Sequence, residues 1–98
     1  MTTDEFKQDE EETVVVFRRW PAKEGGDVIA LFPEIDEGNY CCASYMHIGG
    51  HSGARYGLVI NATRPATPEE YADLKAELEA YPYGYRLKVQ RRYTRRRR

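Results

Sequence analysis

Thr67-Pro68-Glu69-Glu70-Tyr71-Ala72-Asp73-Leu74-Lys75-Ala76-Glu77-Leu78 is the stretch on which the reading of the fold turns. Thr67 can cap a helix, Pro68 suits the first helical position, and Glu70 stands where a capping box needs a glutamate. Tyr71, Leu74, Leu78 and Tyr81 then recur at helical spacing, while Glu70, Asp73 and Glu77 line another side. A helix with one buried stripe and one wet one follows, ended by Pro82 and Gly84.

Downstream, Tyr85, Leu87, Val89 and Tyr93 alternate with Arg86, Lys88, Gln90 and Thr94, the pattern of a strand covered on one face. Upstream, Ala54 to Thr63 fits two templates. Tyr56, Val59, Ile60 and Thr63 match a short helix with Ser52 as its cap, whereas Tyr56, Leu58 and Ile60 match strand alternation; the helix is the preferred reading. Thr13 to Trp20 is β-branched and aromatic and is closed by Pro21, which marks a first strand. Lys23 to Asp27 is turn material, and Val28 to Phe32 forms a second strand stopped by Pro33. Tyr40 to Ile48 forms a third, with Tyr40, Cys42, Ser44, Met46 and Ile48 on one face and Cys41, Ala43, Tyr45 and His47 on the other. Gly49 to Gly53 reads as a loop, because three glycines in five residues cost too much backbone entropy in a regular element. The order β-β-β-α-α-β predicts an α+β domain: a mostly antiparallel four-stranded sheet with the helices packed on one face.

A chain of 98 residues holds one such core. Residues 1–12 carry six acids, one lysine and a single large apolar residue, and read as a disordered acidic tail. Residues 13–93 form the domain and 94–98 a basic tail. The net charge of −1 is therefore an average: 1–12 carry −5, 13–85 carry −4 and 86–98 carry +8. Near-neutrality excludes a uniformly basic nucleic-acid binder and leaves a polarised one open. No apolar run approaches the ~20 residues of a membrane span, and the acidic opening has no secretory pattern. Cys41 and Cys42 are adjacent, a poor geometry for a disulfide in a strand, so both are expected as thiols in a cytoplasmic protein. Nothing in the sequence sets the oligomeric state.

Three segments carry candidate chemistry. Between Cys41 and Arg55 stand four potential zinc ligands, of which Cys42, His47 and His51 offer a zinc site with an H-x3-H spacing. Adjacent cysteines diverge in a strand, however, and packing is the commoner role for such residues. A cysteine nucleophile activated by either histidine lacks a third, orienting group. Ser44, Tyr45, Ser52 and Arg55, beside the glycines, offer an anion or phosphate site. The Walker lysine and the dinucleotide fingerprint are both missing, so nucleotide-enzyme readings fail. Finally Arg86, Lys88, Arg91, Arg92, Arg95, Arg96, Arg97 and Arg98 form a stretch without an acid that can contact nucleic-acid phosphates, with Tyr85 or Tyr93 as a stacking face.

Gly26-Asp27-Val28-Ile29-Ala30-Leu31-Phe32-Pro33-Glu34, then Cys42-x-Ser44-Tyr45-x-His47-x-Gly49-x-His51, then Thr63-Arg64-Pro65-Ala66-Thr67-Pro68-Glu69-Glu70-Tyr71, together resemble small uncharacterised proteins of bacterial plasmids and phages, over residues 13 to 93. The resemblance implies an intracellular mobile-element origin and brings no catalytic residue. The expectation is a non-enzymatic accessory protein without a cofactor. It would bind a protein or nucleoprotein partner through exposed tyrosines and Trp20, with direct nucleic-acid binding as the alternative and a metal or phosphate site in 41–55 as a weaker one.

Overall fold

The computed structural model describes residues 12–93. The acidic tail expected over 1–12, Glu12 apart, and the basic tail expected over 94–98 lie outside them.

Strand β1 (Thr13–Arg19) is the axis of the fold. Val14, Val15, Val16, Phe17 and Arg18 are all buried, so this strand is covered on both faces. Along one edge it pairs antiparallel with β2 (Val28–Gly38). Its other edge is shared: β5 (Arg64–Pro65) pairs antiparallel with Arg18 and Arg19, and β6 (Leu87–Gln90) pairs parallel with Thr13 to Val16. Beyond β2 lie β3 (Cys41–Met46) and β4 (Gly50–Ala54), giving the order β4-β3-β2-β1-β5 with β6 also on β1. Helix α1 (Tyr56–Ala62) joins β4 to β5, and α2 (Pro68–Glu79) joins β5 to β6.

The sheet is thus six-stranded and mixed, which corrects the four-stranded antiparallel expectation. The sixth strand is the short β5 and the mixed character comes from the parallel β6, and two further differences are visible. Gly50 to Ala54 is a strand in unbroken register with β3, from Met46 opposite Gly50 to Cys42 opposite Ala54. The ~0.5–1 kcal/mol that a strand glycine costs is offset by this ladder and by the packing of the His51 ring. Second, the helices do not share a face. Val15, Phe17, Ala30, Phe32, Ala43 and Tyr45 pack with Leu74 and Leu78 of α2, while Val16, Ile29, Leu31 and Cys42 pack with Val59 of α1. The uninterrupted apolar runs Val14 to Phe17 and Val28 to Phe32 need this, since a strand wet on one side alternates and one buried on both does not.

Local boundaries move for local reasons. β2 continues past Pro33 to Gly38 because the register slips between Phe32 and Asp36, so the proline falls in a bulge and removes no ladder bond. Asn39 and Tyr40 both have positive φ, 54° and 65°, as a two-residue hairpin turn of the primed type requires. Tyr40 therefore belongs to the turn, and β3 starts at Cys41. Thr67 accepts from the Glu70 N–H and Glu70 from the Thr67 N–H, completing the expected capping box. Tyr81 is not part of the buried stripe; it lies past the helix and is almost wholly exposed.

Two adjacent arginines of β1 fasten the two helices. Successive side chains of a strand point to opposite faces. Arg18 is buried and donates to the carbonyls of Ile60 and Thr63 at 2.9 and 2.6 Å and to Thr63 Oγ1 at 2.9 Å, so it closes the C-terminal end of α1. Burial pushes its pKa down. Ser52, the expected cap at the other end, lies in β4; the capping position is Arg55, whose side chain makes no capping bond. Arg19 donates to Glu70 at 2.6 Å at the start of α2 and to the Gly26 carbonyl at 2.9 Å. Arg64 grips the same carboxylate through two nitrogens, at 2.9 and 2.6 Å. Arg64, the Thr67 N–H and Arg19 together hold the Glu70 carboxyl far below the usual carboxylate range.

Leu78 is fully buried under the sheet. Leu78→Ala should destabilise the fold by ~2–5 kcal/mol in urea unfolding; a midpoint that does not move would contradict the α2 packing. Glu70 stays ionised in the folded chain below the ~4.3 at which an unfolded glutamate protonates. Its stabilisation is complete above that value and is lost as the pH falls toward the folded-state one. Glu70→Gln should lower the urea midpoint near about pH 6, with the gap to wild type narrowing progressively as the pH falls below about 4.

Candidate functional site

The β3–β4 hairpin and the chain after α2 bring a group of rings and acids together on the α2 side of the sheet. Tyr45 and His51 are cross-strand partners, so both side chains emerge on this face. The backbone turns back after α2, with Gly84 N–H donating to Ala80 and Tyr85 N–H to Leu78, at 2.9 and 3.0 Å. That return lays Tyr83 and Tyr85 against the hairpin. His51 meets Tyr45 at a ring distance of 4.7 Å, Tyr83 edge-on at 5.1 Å and Tyr85 at 6.0 Å, while Tyr85 stacks on Phe32 at 5.2 Å.

The polar ends of these rings are paired among themselves. Tyr45 donates its hydroxyl proton to Glu77 in a short hydrogen bond, and His47 Nδ1 lies 2.8 Å from the other oxygen of that carboxylate. His51 Nε2 lies 3.0 Å from the Tyr85 hydroxyl. The Tyr45 bond, followed by that of His47, holds the Glu77 carboxyl below its ordinary range. The same bond to Glu77, then one with Tyr83 and burial, raises the Tyr45 phenol. Burial likewise raises the Tyr85 phenol. Beside this network runs a groove of about 340 Å³, where Val28, Met46, Ile48 and Leu74 are flanked by Asp27, Asp73 and Glu77.

The expected metal set is not brought together. His47 and His51 share the α2 side, but Cys42 points to the α1 side, where it is buried and its thiol pKa is raised by desolvation. Among the described residues there is no group of three or more His, Cys, Asp or Glu side chains placed to hold a metal ion. The expected anion set divides in the same way. Ser44 and Ser52 are partners on the α1 side, Ser44 Oγ donating to the Ser52 carbonyl at 3.1 Å, while Tyr45 lies opposite and Arg55 is exposed ahead of α1.

Of the basic stretch, Arg86, Lys88, Arg91 and Arg92 are exposed along and after β6, and Arg91 is near enough to Arg18 to lower its pKa further. Arg95, Arg96, Arg97 and Arg98 lie outside the described residues. The Tyr93 N–H donates to the Tyr56 hydroxyl at 3.0 Å, which ties the end of the basic strand to α1. Trp20 is half-buried against the α1-side core, so of the expected aromatic anchors it is Tyr40, Tyr81 and Tyr83 that are exposed among the described residues.

Sequence reasoning missed Glu77, which it placed on the wet side of α2, and the return of Tyr83 and Tyr85. The run Tyr81-Pro82-Tyr83-Gly84-Tyr85 was their signal, since three tyrosines punctuated by Pro and Gly fit a turn that packs rings. No family model, curated protein or solved structure matches the chain.

Tyr45 should ionise above the ordinary tyrosine range near ~10. Alkaline absorbance titration of wild type and Tyr45→Phe isolates its transition as the difference; a difference centred at or below that range would contradict the Glu77 pairing.

Proposed function

We propose that this protein is a non-enzymatic binding module of bacterial mobile-element origin, working in the cytoplasm, whose contact face for a protein or nucleoprotein partner is the ring cluster of β3, β4 and residues 83–85. The observation that supports this reading is the organisation of that face before any partner arrives. Tyr83 is 41% exposed and Ile48 84% exposed, yet the tyrosine rests on the rings of Tyr45 and His51, which are themselves hydrogen-bonded to Glu77 and Tyr85. Partly exposed aromatic side chains that are already ordered lose little entropy on docking and dominate interface energetics. The two histidines are each tied to a different partner and do not converge on one point, which favours recognition over turnover. The flanking groove fits a basic side chain with an apolar stem, because its lining sets Asp27, Asp73 and Glu77 beside Val28 and Ile48. A partner protein segment carrying such a residue is the matching ligand.

Direct contact with nucleic acid is a second reading. It is favoured by the exposure of Lys88, Arg91 and Arg92 in a stretch without an acid.

Affinity capture from a bacterial lysate separates the two. A protein retained after nuclease treatment and lost with Tyr83→Ala or Ile48→Ser supports the ring face. Retention unaffected by those substitutions overturns it. Capture that is abolished by nuclease, weakens with salt and disappears when Lys88, Arg91 and Arg92 are changed to glutamine supports the second reading.

A further inference from the structure

Strand β4 ends the sheet, and its outer edge pairs with nothing among the described residues. Natural sheets protect such edges with lysine, proline, a bulge or extreme shortness. The opposite side of this sheet follows that practice: β5 has two residues including Pro65, and β6 carries Lys88 between Arg86 and Arg91. By contrast β4, Gly50-His51-Ser52-Gly53-Ala54, has five residues, no lysine, no proline and no break in register with β3. Its three central residues are exposed.

The composition of this edge is self-complementary. Two copies related by a two-fold axis pair antiparallel only in registers that keep like faces together. One of these places Ser52 opposite Ser52 of the second copy, Gly50 opposite Ala54 and His51 opposite Gly53. His51, Ser52 and Gly53 are then paired, with Ala54 facing Gly50 at the turn, where φ is 70°, and the one bulky side chain faces a residue that leaves it room. Moving the axis to His51 sets imidazole against imidazole, and moving it to Gly53 sets His51 against Arg55. The strand has no formally charged side chain, so like meets like without repulsion.

We propose that β4 pairs with β4 of a second copy of this chain about a two-fold axis at Ser52, joining two six-stranded sheets into one. The axis stands perpendicular to the sheet, so the two ring clusters lie on the same side and form one continuous face with His51 and Tyr83 repeated across it. The five facing residues on each chain bury less than the ~800 Å² per partner of a standard interface. The dimer is therefore weak and concentration-dependent.

Sedimentation velocity on the full chain should show the mass rising toward twice the monomer as concentration increases from micromolar to millimolar. Gly53→Lys should abolish that rise. The substitution fits the monomer, since a Cβ at Gly53 comes no closer than 3.5 Å to Cys41 Cβ and 3.7 Å to Glu37 Cβ, and circular dichroism checks that it folds. The register has its own readout: with Cys41→Ser to remove the half-exposed thiol, Ser52→Cys should be cross-linked between chains by diamide and His51→Cys should not. A wild type that is monomeric at every concentration overturns the proposal, as does a Gly53→Lys variant that dimerises or a cross-link formed by His51→Cys alone. A monomer whose partner capture is lost in Gly53→Lys assigns the edge to a foreign strand and also overturns it. Loss of the dimer with capture through Tyr83 intact leaves the proposed function standing.

Discussion

Burial of β1 on both faces is the constraint from which the other elements follow. A strand with Val14, Val15, Val16 and Phe17 inside needs cover above and below, and each layer here is a single helix of modest length. Neither helix is held by apolar contact alone. Arg18 and Arg19 leave the strand in opposite directions and reach opposite kinds of helix end: the C-terminal carbonyls of α1 and the N-terminal capping glutamate of α2. Each contact matches the field of the helix it meets, a cation at the negative end of α1 and a carboxylate at the positive end of α2. Glu70 closes the arrangement by serving the capping box, β1 and β5 with two oxygen atoms.

What was legible in the sequence was whatever depended on neighbours along the chain. The capping box, the α2 stripe through Leu74 and Leu78, and the alternation of β3 are local patterns, and all are present. The two-sided sheet was also written in the chain, as unbroken apolar runs in β1 and β2, whereas the one-face expectation followed from the order of the elements alone. β4 was hidden because its identity as a strand comes from its partner: a glycine-rich segment has no strand preference until Met46 to Cys42 offer it a ladder.

The site shows the same division. Parity along β3 already separated Cys42 from Tyr45 and His47, and the register of β4 then decided that His51 joins Tyr45. Glu77 could not be read as a partner of both Tyr45 and His47, since the helical pattern says only which side of α2 it occupies, not that the hairpin reaches over to it. Alternation identifies Tyr85 only as a strand residue and says nothing of Tyr83; their contribution as packed rings depends on a chain reversal that only tertiary structure displays.

The parallel pairing of β1 with β6 also fixes how the domain responds to mechanical load. The strands nearest the two ends of the described chain lie side by side, bonded from Thr13 opposite Leu87 to Val16 opposite Gln90. Tension applied through the flanking segments pulls them along their length in opposite directions. The bonds of a parallel ladder are evenly spaced, so they share that load in shear and must fail together, whereas a hairpin pulled at its open end unzips one bond at a time. A chain tethered at one end and drawn at the other therefore meets its strongest resistance at this pair, before either helix is disturbed.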